Sequence, residues 1–266
     1  MCPSDKAPVD SDRTSRNRFD AIFVRVAKSR TLSAIWRDVY EDDYPEDASP
    51  FSFVTVPELR WLASALNVGP GRTFVDVACG QGGPTMFVAR ETGATAVGID
   101  SSFHAVEAAT AAARATGMSR QATFIVADAA ATGLRGARVD AVMSVDALQL
   151  MPRRDTVIGE VGRTLRPGGR FAFTTWVSRA GTAGPPFPVD YRPLLEAEGL
   201  VMDACHEPPN WESRESAVFA RIRESAAVLN VELGESVVAM LMAEAVKMPE
   251  AYPFIQRVNI LARKAG

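Results

Sequence analysis

The hydrophobic pattern divides the chain into a helical first part and a longer part in which short apolar runs alternate with helix-sized segments. Apolar residues at i, i+3, i+4 and i+7 predict helices over 19–26 and 32–40. Residues 55–58, Thr-Val-Pro-Glu, have the form of a capping box and predict a third helix, which stops at 69–71, Gly-Pro-Gly. The region before the first strand is therefore predicted to be mainly helical.

From Arg72 onward the pattern predicts strands separated by helices. Such alternation is typical of a parallel sheet built from right-handed βαβ units. Two further helical stretches, over 212–231 and 235–247, precede the final strand. The sequence thus predicts an α/β fold with a Rossmann-like, seven-stranded, mostly parallel sheet and helices on both faces. The predicted strands lie at 72–78, 95–100, 122–128, 139–145, 170–176, 200–206 and 254–262.

Composition narrows the class of protein. With 47% hydrophobic and 23% charged residues among 266, the chain is predicted to be folded and globular. The net charge is −3, so the chain lacks the excess of basic residues that proteins use to bind a nucleic-acid backbone. Three cysteines suggest no disulfide framework and fit a reducing cytoplasm. No apolar run approaches the ~20 residues needed to cross a bilayer, so neither nucleic acid nor membrane is expected as a partner.

A glycine-rich segment between the first strand and the next helix carries the clearest chemical signal. Gly80, Gly82 and Gly83 precede Pro84, where the helix begins. Glycine lets the backbone approach a ligand closely, and a helix N-terminus offers unpaired N–H groups. This predicts a nucleotide-type cofactor loop at the carboxyl edge of the sheet. A dinucleotide fingerprint fits poorly, because Thr85 occupies its last position.

The segment Asp76-x-Ala78-x-Gly80-x-Gly82 resembles motif I of class I S-adenosylmethionine-dependent methyltransferases, Asp/Glu-x-Gly-x-Gly-x-Gly, with alanine at the first glycine. Asp100 ends the second predicted strand and Asp128 ends the third, as acids do in that family. Residues 140–146 resemble motif IV, and 165–170 resemble the turn before the fifth strand. The match extends over five segments in the family's order.

The resemblance covers about 72–206 and implies S-adenosylmethionine as cofactor. In the family, the acid at the position of Asp100 accepts hydrogen bonds from the ribose hydroxyls, and the acid at the position of Asp128 binds the adenine amino group. A carboxylate at Asp76 suits the cationic amino group of this cofactor. The cofactor-binding residues implied are Asp76, Ala78, Gly80, Gly82, Asp100, Ser101, Asp128, Ala129 and Ser144.

Candidate catalytic and substrate-contacting residues follow from their positions after strands. Asp146 follows the fourth strand and His206 follows the sixth, and either is a candidate general base. The alternatives are helix capping for Asp146 and an exposed loop position for His206. Gln149, Trp176 and Tyr44 are candidate substrate contacts, with plain core packing as the alternative for Trp176. No convincing set of metal ligands is present, so no metal is predicted.

The segments outside the predicted cofactor-binding core suggest how the chain is organised into parts. Residues 43–53 are similar to the N-terminal cap of bacterial small-molecule methyltransferases of secondary metabolism, and the added helices are predicted to form a lid that excludes water. A monomer or homodimer is expected. The predicted parts are a disordered tail (1–13), a helical cap (14–70), a cofactor-binding core (71–207), an inserted helical lid (208–251) and a final strand (252–266).

The function implied is transfer of a methyl group to a C, O or N nucleophile of a small, apolar metabolite, as in natural-product biosynthesis. Residues 144–147, Ser-Val-Asp-Ala, lack the Asn/Asp-Pro-Pro-Tyr/Phe motif of DNA amino-methyltransferases, which disfavours that class. Two alternatives stay open. One is a non-methylating cyclase that binds the same cofactor. The other, less favoured, is an NAD(P)-dependent oxidoreductase with a degenerate fingerprint.

Overall fold

The structure is a computed structural model that describes residues 25–26, 29–46, 52–182 and 187–266. The predicted tail over 1–13 lies outside the described residues, as does most of the predicted helix over 19–26.

A seven-stranded sheet forms the centre of the fold, in the order β3-β2-β1-β4-β5-β7-β6. The first five strands pair in parallel, and β7 runs antiparallel to both β5 and β6. The predicted seven-stranded, mostly parallel sheet is confirmed. The strands are β1 Thr73–Val77, β2 Thr95–Asp100, β3 Ala122–Val126, β4 Val139–Ser144, β5 Leu165–Ser178, β6 Leu200–His206 and β7 Ile255–Lys264.

Within the described residues, the helices lie where the pattern predicts them, with two differences. The predicted stretch over 212–231 is two helices, interrupted at Ser225. The last long helix continues past Lys247 and includes Pro249. In order, the helices of the described chain are α1 Arg30–Tyr40, α2 Val56–Leu66, α3 Gly83–Thr92, α4 Phe103–Ala115, α5 Arg154–Thr164, α6 Arg192–Glu196, α7 Trp211–Glu224, α8 Ala226–Leu233 and α9 Glu235–Ala251.

Local sequence signals explain where several elements begin and end. Thr55 and Glu58 form the predicted capping box: the Thr55 side chain accepts from the Glu58 N–H, and the Glu58 carboxylate accepts from the Thr55 N–H. Strand β5 begins at Leu165, five residues before the predicted start, because this residue already pairs with Val139. A register shift follows that pair, and Gly168 takes a φ of +73° within the irregular stretch.

Helices cover both faces of the sheet. Helices α2, α3 and α4 pack on one face, with Leu62, Val88 and Ala109 fully buried. Helices α5 and α6 pack on the other, with Ile158 and Leu195 fully buried. Both faces of the central strands are therefore apolar, as the continuous hydrophobic runs in the sequence require.

A separate helical layer lies beside the sheet. Helices α1, α7, α8 and α9 share an aromatic-rich core that includes Trp36, Trp211 and Phe219. Trp176 of β5 and Ile255 of β7 also belong to this core, so it is continuous with the end of the sheet. The two helical segments outside the Rossmann-like core therefore pack against each other, although more than 150 residues of chain separate them.

Candidate functional site

A cleft of about 250 Å³ opens at the carboxyl ends of the central parallel strands. This is the place where open α/β sheets bind ligands. Its walls are the loops that follow β1, β2, β3 and β4, together with Ser52 and Val157. The loop residues that line it lie within 78–84, 99–101, 127–130, 145–147 and 150–153, and Asp76 lines its floor.

The loop after β1 turns sharply because several of its residues adopt left-handed backbone conformations. Gly80 has a φ of +53° and Gly82 a φ of +77°. Ala78 has a φ of +59°, a conformation that costs a non-glycine residue about 1 kcal/mol or more. A Cβ on Gly82 would lie 2.6 Å from the ring of Phe124, so packing under helix α3 requires this glycine. Ala78 and Gly80 line the cleft, whereas Gly82 lies behind it.

Asp76 presents a buried carboxylate to the cleft. The side chain is on a residue only 1% exposed, and Thr85 Oγ1 donates to its Oδ2 at 2.6 Å. Its Oδ1 is buried without a hydrogen-bond partner. Burial raises the pKa of Asp76 to about 7. The negative charge of Asp100 raises it further, whereas the hydrogen bond from Thr85 lowers it. An unpaired, buried carboxylate oxygen is a site prepared for a cationic group.

Asp100 joins the end of β2 to the glycine loop. Its Oδ2 accepts from the Gly80 N–H at 2.9 Å, and its Oδ1 accepts from the Ser102 N–H at 2.8 Å. The Ser102 side chain in turn caps helix α4. Asp100 and Ser101 both line the cleft, so this carboxylate shapes the loop in addition to facing the cavity.

Asp128 and Ala129 line the cleft where the chain leaves β3. Asp128 Oδ1 accepts from the Ala130 N–H at 2.8 Å, and its Oδ2 lies 3.7 Å from Arg153 Nη2. Arg153 also lines the cleft, and its side chain is about half exposed. Asp128 therefore lines the cleft beside a partly exposed arginine.

Asp146 lines the cleft, but both of its carboxylate oxygens are engaged. Oδ1 accepts from Thr174 Oγ1 at 2.6 Å and lies 2.8 Å from Arg257 Nη1. Oδ2 accepts from the Phe53 N–H at 3.0 Å and from Ser52 Oγ at 3.3 Å. A carboxylate with four donor groups around it has little capacity to take a proton from a substrate. The geometry favours a positioning role over that of a base.

Two predicted site residues lie directly behind the cleft wall. Ser144 is fully buried and donates to the Val77 carbonyl at 3.0 Å, which fixes β4 beside the start of the glycine loop. Gln149 Nε2 donates to the Asp146 carbonyl at 2.6 Å, and this supports Asp146 in its left-handed conformation, with a φ of +51°.

The three remaining candidates lie away from the cleft. His206 is exposed, and its ring packs edge-on against Trp61 with centroids 4.9 Å apart. The Trp176 ring lies in the helical-layer core, with the Arg257 guanidinium 4.8 Å from its centroid. Tyr44 is buried in the same core. The geometry therefore gives no support to a general base at His206 or to direct substrate contact by Trp176 and Tyr44.

Several cleft residues escaped the sequence reasoning. Ser52 lies just before the capping box and lines the cleft. Its position as a polar residue between apolar neighbours could have indicated a role in the site. Leu150 ends a short turn after β4 that the pattern of strands did not predict, and Met151 and Arg153 follow it. Arg257 lies outside the cleft yet contacts Asp146, and a cation inside the apolar run of the final strand could have indicated a buried partner.

The loop and cleft fall within a known domain family. Residues 74–169 match the family model of a methyltransferase domain. These residues form a methyltransferase domain. The antiparallel strand β7 between β5 and β6 also distinguishes this sheet from the all-parallel order of dinucleotide-binding folds.

Two curated relatives illustrate the similarity of the methyltransferase domain. It is 36% identical over 135 residues to methyltransferase GfsG of Streptomyces halstedii, a match that covers 51% of this chain and 49% of GfsG. It is 33% identical over 127 residues to a sterol 24-C-methyltransferase of Yarrowia lipolytica, covering 48% of this chain and 33% of the relative. The chain thus spans half or less of the curated relatives it matches.

Solved structures share the fold over more of the chain's length. A [4+2]-cyclase, SpnF, is 26% identical with a TM-score of 0.65, over 78% of this chain and 80% of SpnF. A putative sarcosine dimethylglycine methyltransferase from Galdieria sulphuraria is 16% identical with a TM-score of 0.73, over 88% and 97% of the two chains. Geranyl diphosphate C-methyltransferase from Streptomyces coelicolor A3(2), crystallised with S-adenosyl-L-homocysteine, is 17% identical with a TM-score of 0.63, over 79% of each.

No group of three or more histidine, cysteine or acidic side chains among the described residues could hold a metal ion. No helix in the described ranges combines the length and apolarity that a bilayer span requires.

Proposed function

We propose that this chain binds S-adenosylmethionine in the cleft and transfers its methyl group to a C, O or N atom of a small metabolite. The observation that carries the proposal is the buried Asp76 carboxylate, whose unpaired Oδ1 lies at the glycine loop of a methyltransferase domain. A cationic amino group there would satisfy an oxygen that is costly to leave unpaired.

The other cleft residues fit the same cofactor. Asp100 and Ser101, at the end of β2, are proposed to bind the ribose hydroxyls, and Asp128 with Ala129 the adenine. Gly80 leaves space for close backbone approach. When bound, S-adenosylmethionine supplies a methyl group already activated by its sulfonium.

The protein's own contribution is then to hold the reacting groups in line and to keep water away. Asp146 is proposed to position the wall of the cleft at Ser52. The helical segments within 14–70 and 208–251 are proposed to act as a lid. In support, helix α1 of the first segment and helices α7, α8 and α9 of the second share one core, which also includes Trp176 and Ile255 of the sheet.

The acceptor is proposed to be a small apolar metabolite of natural-product biosynthesis. Leu150 is largely exposed at the cleft and Met151 lines it, which suits apolar contact. The similarity to GfsG of Streptomyces supports a bacterial biosynthetic setting. The described cysteines, Cys79 and Cys205, are both free, which supports the proposal of a cytoplasmic location. We propose no nucleic-acid partner, in line with the net charge of −3.

Calorimetry with S-adenosylmethionine, S-adenosylhomocysteine and NAD(P) tests the cofactor. We expect the first two to bind, and Asp100→Ala to weaken binding by ~1–3 kcal/mol through loss of a polar contact and of the loop hydrogen bonds. The exposed acid Asp203 provides a matched control, since Asp203→Ala should bind as the wild type does. Binding of NAD(P) alone would overturn the proposal.

A cyclase is the second candidate, favoured by one observation: the solved [4+2]-cyclase is 26% identical over most of both chains. Incubation with methyl-labelled S-adenosylmethionine and a panel of small apolar metabolites separates the two functions. Labelled product with release of S-adenosylhomocysteine indicates methyl transfer. Isomerised product with intact cofactor indicates a cyclase.

A further inference from the structure

A buried ionic cluster lies between the sheet and the helical layer, and of its four members Asp146 lines the cleft. At its centre is Arg257 of β7, which is 1% exposed. Its guanidinium lies 3.2 Å from a Glu58 oxygen, 2.8 Å from Asp146 Oδ1 and 3.9 Å from Glu215 Oε1, and it covers the ring of Trp176 at 4.8 Å.

Each carboxylate in the cluster belongs to a different part of the fold. Glu58 lies in the first turn of α2, Asp146 follows β4, and Glu215 lies in α7. Burial alone would lower the pKa of Arg257, but the three carboxylates outweigh it and raise the pKa, so the side chain stays charged. A buried charge is tolerated only with such partners, so Arg257 fixes these elements relative to one another.

The cluster reaches the cleft through Asp146. Its Oδ2 accepts from the Phe53 N–H and from Ser52 Oγ. From the other side, Trp36 Nε1 donates to the Ser52 carbonyl and the Tyr40 hydroxyl donates to the Phe53 carbonyl, both at 3.0 Å. Ser52 lines the cleft. The segment at 52–53 is therefore clamped between helix α1 and a carboxylate that Arg257 holds.

We propose that Arg257 is a positioning residue of the cofactor cleft. Through Asp146 it holds Ser52 and Phe53 as one wall of the cleft, and through a hydrogen bond from its Nε to Glu58 it ties that wall to helix α2. Arg257 itself does not line the cleft. The inference rests on the proposed function in one respect: it takes the cleft to be the cofactor site. Loosening the cluster should let the wall at 52–53 open and release a bound ligand faster.

Arg257→Lys tests the proposal directly. A lysine keeps the positive charge, but it lacks the planar set of N–H donors with which a guanidinium contacts several carboxylates at once. We expect S-adenosylhomocysteine to dissociate about tenfold faster in stopped-flow displacement, with little change in its association rate. In the unliganded protein, amide hydrogen exchange over 52–66 should increase.

Thr174→Val is a second test of whether Asp146 holds the cleft wall at residues 52–53. Thr174 Oγ1 donates to Asp146 Oδ1 at 2.6 Å and accepts from the Asp146 N–H at 2.9 Å, so this change loosens Asp146 without altering Arg257. Faster dissociation and faster exchange over 52–66 are expected here too. This variant decides the question if Arg257→Lys does not fold.

Two controls separate positioning from general stability. Arg263→Lys changes a partly exposed arginine on the same strand and should match the wild type. Leu200→Ala removes a fully buried side chain on β6, outside the cleft, and should lower the free energy of unfolding without changing the dissociation rate.

The outcomes distinguish this inference from the proposed function. Wild-type dissociation rates together with wild-type exchange over 52–66, in both Arg257→Lys and Thr174→Val, would overturn the positioning role. If the wild type binds no S-adenosylhomocysteine, the proposed function fails, and hydrogen exchange over 52–66 still decides whether Arg257 positions the wall.

Discussion

Asp76 combines burial, an unpaired oxygen and a place at the floor of the cleft. Because burial raises its pKa to about 7 in the unliganded protein, a large part of it is protonated and uncharged just below neutral pH. Only the ionised form attracts a cationic amino group. The affinity for S-adenosylmethionine should therefore depend on pH in the neutral range.

We predict that S-adenosylmethionine binds about tenfold more tightly at pH 8 than at pH 6, because binding to the protonated form must first expel a proton. Calorimetry at both pH values measures this. Asp76→Asn should bind weakly and with little pH dependence, while Asp203→Asn, at an exposed acid, should keep the wild-type profile. Affinity of the wild type that does not change with pH would show that Asp76 faces no cation.

Individual residues were predictable where sequence position and spatial position coincide. Asp76, Asp100 and Asp128 lie at or within two residues of the carboxyl ends of three parallel strands, and the carboxyl ends of neighbouring strands meet at one edge. His206 also ends a strand, but β6 is the outermost strand beyond β7. Its place in the chain therefore did not indicate its distance from the cleft.

At the scale of elements, strand β2 approaches its neighbours so closely that only a glycine fits. A Cβ on Gly98 would lie 2.4 Å from the Phe124 ring and 2.9 Å from Cys79 Sγ. Cys79 lies in the glycine loop, so this packing fixes the loop against β2 and β3. Burial raises the pKa of the Cys79 thiol well above its ordinary value, which fits a packing role.

We predict that Gly98→Ala lowers the free energy of unfolding by about 1–3 kcal/mol through overpacking. Urea denaturation measures the change. Gly69→Ala is the matched control, since its nearest contact would be an ordinary 3.8 Å. Adding Phe124→Leu should recover part of the loss. Equal destabilisation at Gly98 and Gly69 would contradict the packing argument.

The elements themselves followed largely from local signals. The capping box at Thr55 set the start of α2, and β6 occupies the residues predicted for it. The interruption at Ser225 was missed, because the apolar periodicity runs through it and no glycine or proline marks it. The early start of β5 was missed because pairing with Val139, a tertiary contact, extends the strand.

At the scale of the whole molecule, the Arg257 cluster joins parts of the chain that lie far apart in sequence. Glu58 and Arg257 are separated by 199 positions. No local pattern predicts such a contact, because each residue alone resembles an ordinary surface charge. Only the assembled sheet and helical layer bring the four side chains together.

Within this cluster, Glu215 should make stability depend on pH. Burial raises its pKa well above the ordinary value, opposed by Arg257 and assisted by Asp146 and Glu58. A raised pKa means that the folded state favours the uncharged acid. The stabilisation is complete below the unfolded pKa and is lost as the pH rises through the folded pKa.

Glu215→Gln keeps the shape of the side chain but cannot ionise. We therefore predict that its free energy of unfolding depends less on pH than that of the wild type between about pH 5 and pH 8. It should be the more stable of the two at pH 8, as measured by urea denaturation. Glu224→Gln, at an exposed position later in α7, should follow the wild type. Parallel pH curves for Glu215→Gln and the wild type would show that Glu215 ionises freely when folded.

The placement of β7 also has a consequence for how the protein is made. Strand β6 has β7 as its sheet neighbour, and β7 follows every other described element in the chain. During synthesis, β6 and helices α7, α8 and α9 therefore leave the ribosome before β7, the strand that joins β6 to β5. During that interval β6 has no partner, and the edge of β5 is open to intermolecular pairing. Newly made chains should be most vulnerable to aggregation just before residues 255–264 emerge.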